Sequence, residues 1–168
     1  MKDTLGIIGA LILKLLISLF PKKQDEPKPA PKPLPPSLLS VAMQYRGKDA
    51  SPKNLAPQEL SCAEGVSNII HEWNPAFPSG VLNTARLAQI LDASPHFERT
   101  TIPKAGCVIV SPRVGETPGH AGFFTEPNWI LSNDSRTGKM EVNYSLDSWI
   151  RVMRYGRGLR ILIWQPND

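Results

Sequence analysis

At Pro103 the hydrophobic rhythm of the chain changes, and that change restricts the fold more than any other feature of the sequence. Before it, apolar residues recur at helical spacing. Val66, Ile69, Ile70 and Trp73 share one stripe with Cys62, and Asn74-Pro75 is a strong stop. Ser61 and Glu64 form an S-x-x-E capping box, so a helix is predicted over 61–73. Ser79 is expected to cap a second helix over 80–91, with Leu82, Ala85, Ala88 and Leu91 in register, and Leu38 to Tyr45 predicts a short first one. After Pro103 the pattern changes to short runs of strand-forming residues. That predicts strands over 107–111, 119–124, 129–133, 139–144 and 159–164, with a short helix from Ser145 to about Arg154. Helices first and an antiparallel sheet of about five strands afterwards define an α+β fold.

The first 37 residues carry none of this pattern. Leu5 to Phe20 is apolar except for Lys14 and Ser18. Sixteen helical residues span roughly 24 Å, short of a hydrocarbon core of ~30 Å. Residues 1–20 therefore read as a weak membrane segment, a signal anchor without a clean A-x-A cleavage site. A cleaved signal peptide or an interfacial helix is the alternative. Lys2 precedes the segment while Lys22 and Lys23 follow it, so flanking charge sets no orientation. From Pro21 to Pro36, seven of sixteen residues are proline, which predicts a polyproline spacer over 21–37 reaching up to about 50 Å. A single folded domain is expected over 38–168.

The formal charge of +4 suggests an anionic partner until it is divided. Residues 1–37 hold +3 of it and the folded part only +1, so no nucleic-acid partner is expected. Arg151, Arg154, Arg157 and Arg160 form a local basic cluster, most simply a solvated face.

Chemistry enters at Cys62, the first residue of the predicted helix. A thiol there faces unpaired N–H groups and the positive end of the helix dipole, which predicts a depressed pKa. His120 lies downstream on a predicted strand. If Phe124 pairs with Trp129 across a loop of Thr125 to Asn128, His120 falls opposite Asn133, whose amide oxygen can orient the imidazole. A one-residue slip offers Ser132 or Asp134 instead, and Asp134 is the reserve choice. An oxyanion would be held by the Cys62 backbone N–H, with Gln58 as a second donor suggested by proximity. His71 projects to the far side of the helix, toward solvent, and His96 lies in a connector, so the base is assigned to His120 by elimination. Cys107 reads as a small buried hydrophobe, and a bond between it and Cys62 as a redox latch is the minor alternative.

Three segments together resemble the CHAP and NlpC-like cysteine peptidases: Leu60-Ser61-Cys62-Ala63-Glu64-Gly65-Val66, Ala105-Gly106-Cys107-Val108-Ile109-Val110-Ser111-Pro112, and Pro118-Gly119-His120-Ala121-Gly122-Phe123. Ile130 to Ser135, followed by Tyr144-Ser145-Leu146-Asp147-Ser148-Trp149, resembles a phage-type branch of that group. The resemblance covers about residues 40–165. It implies a papain-like fold, cleavage of amide bonds in bacterial peptidoglycan, and a nucleophile, base and third residue at Cys62, His120 and Asn133. The family usually places an acidic residue where this chain has Cys107. No acidic calcium loop is visible, so neither metal nor cofactor is expected. The anchor and spacer resemble phage endolysins exported on a weak signal anchor.

The expectation is thus a monomeric, membrane-tethered peptidoglycan hydrolase, anchored in the inner membrane through residues 5–20. Its catalytic domain would lie in the periplasm or face the cell wall. Two rivals stand beside it: a catalytically inactive wall-binding domain, and a lipid-directed acyltransferase on the same scaffold.

Overall fold

The computed structural model describes residues 36–51, 57 and 61–167. The membrane segment expected over 1–20, the spacer as far as residue 35, and Gln58 lie outside the described residues. Among the described residues no helix is long and apolar enough to cross a membrane.

Ser37 caps the first helix, α1 (Leu38–Gln44), by accepting from the Ser40 N–H at 3.2 Å. Helix α2 is Cys62–Trp73 and ends at Asn74, where the following proline requires it to. The capping box is not formed. Ser61 has φ −75° and ψ 2° rather than the extended geometry that turns a cap hydroxyl back onto helix N–H groups, and its side chain makes no cap bond. Ser61 and Glu64 are both buried with partners of their own.

Helix α3 (Thr84–Ala93) starts four residues later than the pattern suggested, and its cap is Asn83, accepting from the Arg86 N–H at 2.8 Å. The reason lies in α2. Asn68 and Ser67 take the backbone N–H groups of Gly80 and Val81, each at 2.9 Å, and hold this stretch out of the helix. Gly80 has φ +68°, a conformation that a residue with a Cβ adopts only under strain. Leu82 therefore lies outside the helical stripe and is half exposed.

The sheet has six antiparallel strands: β1 (Phe97–Thr100), β2 (Val108–Ser111), β3 (His120–Glu126), β4 (Trp129–Asn133), β5 (Met140–Ser145) and β6 (Leu162–Pro166), in the order β1-β6-β2-β3-β4-β5. The α+β expectation holds, with one strand more than expected. Strand β1 has no clean alternation and is held by its neighbours. Arg99 lies 4.0 Å above the Trp164 ring and pairs with Asp92 at 2.6 Å, and Asp92 also accepts from Trp164 Nε1 at 3.1 Å.

Both faces of the sheet are covered. Val108, Val110, Ala121, Phe123, Leu131 and Met140 meet α1, α2 and α3 in the larger core cluster. Cys107, Ile109, Phe124 and Ile130 meet Trp149, Met153 and Leu159 on the other side. That second layer begins at α4 (Leu146–Trp149), where Ser145 and Ser148 form a reciprocal capping box. It continues without a break as a π-helix over Ile150–Gly156, a rare geometry concentrated at functional sites. Leu159 N–H closes onto the Met153 carbonyl, so Leu159 belongs to this layer and β6 starts later than predicted.

The β3–β4 turn is tighter than a four-residue loop. Glu126 pairs with Trp129 and Phe124 with Ile130, with an irregularity between Phe124 and Glu126. The register beyond it sets Gly122 against Ser132, one residue away from the pairing expected from sequence. A slip of one residue exchanges the faces of a strand. Asn133 thus pairs with Met140, a residue of the helix-side core, while His120 lies on the opposite face.

Candidate active site

Helix α2 packs against β3. Cys62 is its first residue, buried to 4% exposure, with its sulfur at the backbone N–H of Ala121. The residue before that N–H is His120. The fold thus brings the predicted nucleophile to the strand position next to the predicted base. Among the described residues, no hydrogen bond joins the thiol to the imidazole directly.

Two clefts meet at this point. One of about 500 Å³ is lined by His120, Asn133, Asp134, Asn143, Tyr144 and Arg157, among others. A smaller one of about 240 Å³ is lined by Cys62, Leu82, Thr84, Arg113 and Glu116. Pro118 and Gly119 line both and form the rim between sulfur and ring. Gly119 has no alternative there, because a Cβ would overlap Thr84 Oγ1, the Ser111 carbonyl and the Arg113 nitrogen. Thr84 Oγ1 meanwhile accepts from the Arg113 N–H at 2.9 Å, tying α3 to the chain that leads into the rim.

The orienting partner of His120 is Ser132, with Nε2 and Oγ 3.1 Å apart. Asn133 lines the same cleft, but the register pairs it with Met140 on the helix side of the sheet, and the ring nitrogen is met by Ser132 instead. Asp134 does not meet it either. Its carboxylate is gripped by Arg136 at 2.8 and 3.2 Å and by the Arg136 N–H at 2.8 Å, which lowers its pKa to about 2. Ser132 in turn donates to Asn143 Oδ1 at 2.6 Å. The imidazole stacks on Trp149 with centroids 5.1 Å apart and meets the edge of Tyr144 at 5.5 Å. Trp149 is fully buried and held in turn by its Nε1 on Ser111 Oγ at 3.0 Å.

The electrostatics differ from the sequence expectation. Burial pushes the Cys62 thiol up to about 11, against the N–H groups of Ala121, Ala63 and Cys62 itself and the charge of Arg157. Desolvation of a sulfur enclosed in the core outweighs the helix terminus. Burial also lowers His120, to about 4, and the Arg157 charge adds to the effect. At neutral pH the resting pair is thiol and neutral imidazole. Arg157, one of the late basic cluster, reaches this site from the end of the π-helix and donates from Nη1 to the Pro118 carbonyl at 3.0 Å.

The other candidates are structural. His71 is half-buried and its Nδ1 lies 2.7 Å from the Phe77 carbonyl, while His96 is exposed in its connector. Cys107 is a free buried thiol in the cluster on the far sheet face, and Cys62 is also free. Among the described residues no group of three His, Cys, Asp or Glu is arranged to hold a metal. Ser132 was visible in the sequence only as a one-residue slip. Asn143 and Tyr144 gave no signal, since the bulge that places them is a property of strand pairing.

No protein-family model and no curated protein matches the chain. Among solved structures it is similar to a chain in the type VI native effector-immunity complex Tae3-Tai3 from Ralstonia pickettii. The two are 19% identical, the alignment covers 79% of this chain and 100% of that one, and the TM-score is 0.49.

Proposed function

We propose that the domain is a cysteine hydrolase that cleaves an amide bond in the peptide part of bacterial peptidoglycan. The observation that carries this reading is the seat of Cys62. A sulfur at the start of a helix lies on the N–H of the residue following an imidazole, and that imidazole is stacked on Trp149 and bonded at one nitrogen to Ser132. The choice of peptidoglycan rests on the resemblance of the three motifs to CHAP and NlpC-like peptidases.

In this mechanism Cys62 Sγ attacks the amide carbonyl carbon while its proton passes to the nitrogen of His120 not bonded to Ser132. The raised thiol and lowered imidazole pKa values mean that transfer accompanies attack rather than preceding it. The Cys62 N–H stabilises the oxyanion. The C–N bond then breaks, His120 returns the proton to the leaving amine, and water, deprotonated by the same ring, hydrolyses the thioester. Residues 5–20 and the proline spacer would tether this domain to the inner membrane and present it to the wall, with release in phage-type lysis as one use.

The raised pKa of Cys62 favours a second reading, a wall-binding domain with an inert thiol. Sacculi incubated with the full chain separate the two. Hydrolysis releases soluble fragments with new amino groups, seen by mass spectrometry, and Cys62→Ala binds sacculi without releasing any. Binding without release by the wild-type chain would establish the second reading, and lytic Cys62→Ala would end the first.

A further inference from the structure

Ser132 has one hydroxyl proton and therefore one bond to donate. Its oxygen lies 2.6 Å from Asn143 Oδ1 and 3.1 Å from His120 Nε2. The shorter separation is that of an O–H donor to an oxygen, and the longer that of an N–H donor to an oxygen. The proton of Ser132 is thus committed to Asn143, and the hydroxyl has only acceptor capacity left for the ring. Nε2 must carry the hydrogen, and Nδ1 keeps its lone pair.

Asn143 reaches this place through a fault in the sheet. Leu131 pairs with Val142 and Ile130 with Tyr144, so Asn143 is the extra residue of a β-bulge. A bulge re-aims the side chains around it. Here it brings Asn143 to the Ser132 hydroxyl and sets Tyr144 against the edge of the His120 ring. Ser132 is fully buried while Asn143 is exposed at the cleft wall, so the acceptor is supplied from the strand surface to a hydroxyl beneath it.

We infer that Asn143, carried on the β5 bulge, fixes the tautomer of His120 through Ser132 and is a positioning residue for the reaction. The inference rests on the reading of His120 as the base. A bare Nδ1 is the form that can take a proton from the thiol. Without an acceptor at position 143, the Ser132 proton would be released to turn toward Nε2 and favour the other tautomer, whose Nδ1 carries a hydrogen and is no base.

The test uses the full chain labelled with 15N-histidine. Two-bond proton–nitrogen correlation at pH 7 should show, for His120, a bare Nδ1 and a protonated Nε2. Asn143→Asp keeps an acceptor and should keep that signature. Asn143→Leu covers the hydroxyl without offering an acceptor; it should move the ring toward a mixture of tautomers and lower the initial rate of sacculus release by about three- to tenfold. A wild-type ring protonated at Nδ1 overturns the inference, as does Asn143→Leu with both signature and rate unchanged. If Asn143→Leu does not fold, the wild-type spectrum and Asn143→Asp decide. The expected signature in a chain that releases nothing from sacculi would end the hydrolase reading while leaving the tautomer assignment intact.

Discussion

At the scale of single residues, the site is governed by what burial does to two ionisable groups. A cysteine at a helix start is ordinarily a candidate thiolate, yet enclosing Cys62 in the core raises its pKa instead. Among the described residues Arg157 is the one full positive charge acting on both partners, pulling the pKa values of Cys62 and His120 down together. Replacing it with Gln should therefore move both upward. The acid limb of sacculus-release activity follows His120, which must be neutral to act as base. In Arg157→Gln that limb should shift to higher pH, while the maximal rate falls because the thiol is harder to ionise. Rates measured from pH 4 to 9 check this, and an unmoved acid limb would show that the Arg157 charge does not reach the ring.

At the scale of elements, the sequence disclosed most where one strong local rule applied without competition. The end of α2 at Asn74-Pro75, the Ser145 cap and the apolar run of β2, buried on both faces, were all legible. The start of α3 was not. Ser79 is an acceptable cap, but Asn68 and Ser67 on another helix hold the following backbone out of the helix, and no local pattern contains that information. The orienting residue of His120 failed for a related reason. Its identity depends on the register after an irregularity near Thr125: with Gly122 opposite Ser132, Asn133 turns to the helix side and Ser132 meets the ring as the diagonal neighbour of His120. Two substitutions test this account. Asn83→Ala removes the actual cap and should cost about 1 kcal/mol in urea unfolding with an unchanged slope, while Ser79→Ala stays within about 0.5 kcal/mol. Gly119→Ala should do more, because its Cβ must displace Thr84 or the Ser111 backbone. Loss of activity should exceed loss of stability there, since the rim joins both clefts.

At the scale of the whole molecule, the same burial that shapes the site sets the pH range in which the domain is most stable. His120 is held at about 4 in the folded protein against an ordinary 6.5. Below 6.5 the unfolded chain takes up a proton that the folded ring refuses. Stability from this residue is therefore complete above 6.5 and lost progressively as pH falls to about 4, by ~3 kcal/mol at most. Cys62 acts at the other end. Its thiol ionises near 9.0 when unfolded and near 11 when folded, so its contribution is present below 9 and declines as pH rises to 11. Cys107 is raised by burial and Tyr45 by its hydrogen bond to Glu72, to about 12, and both lean the same way as Cys62. The melting temperature should form a plateau between roughly pH 6.5 and 9, falling by about 10 °C toward pH 4 from His120 alone. His120→Gln should flatten that acid slope whatever it does to the plateau, because a glutamine has no proton to accept. Cys62→Ala should soften the alkaline slope without abolishing it, since Cys107 and Tyr45 remain. Thermal unfolding of the three chains at half-unit pH steps reads both effects, and an acid slope in His120→Gln equal to that of the wild type would mean that the imidazole is not shielded from water in the folded protein.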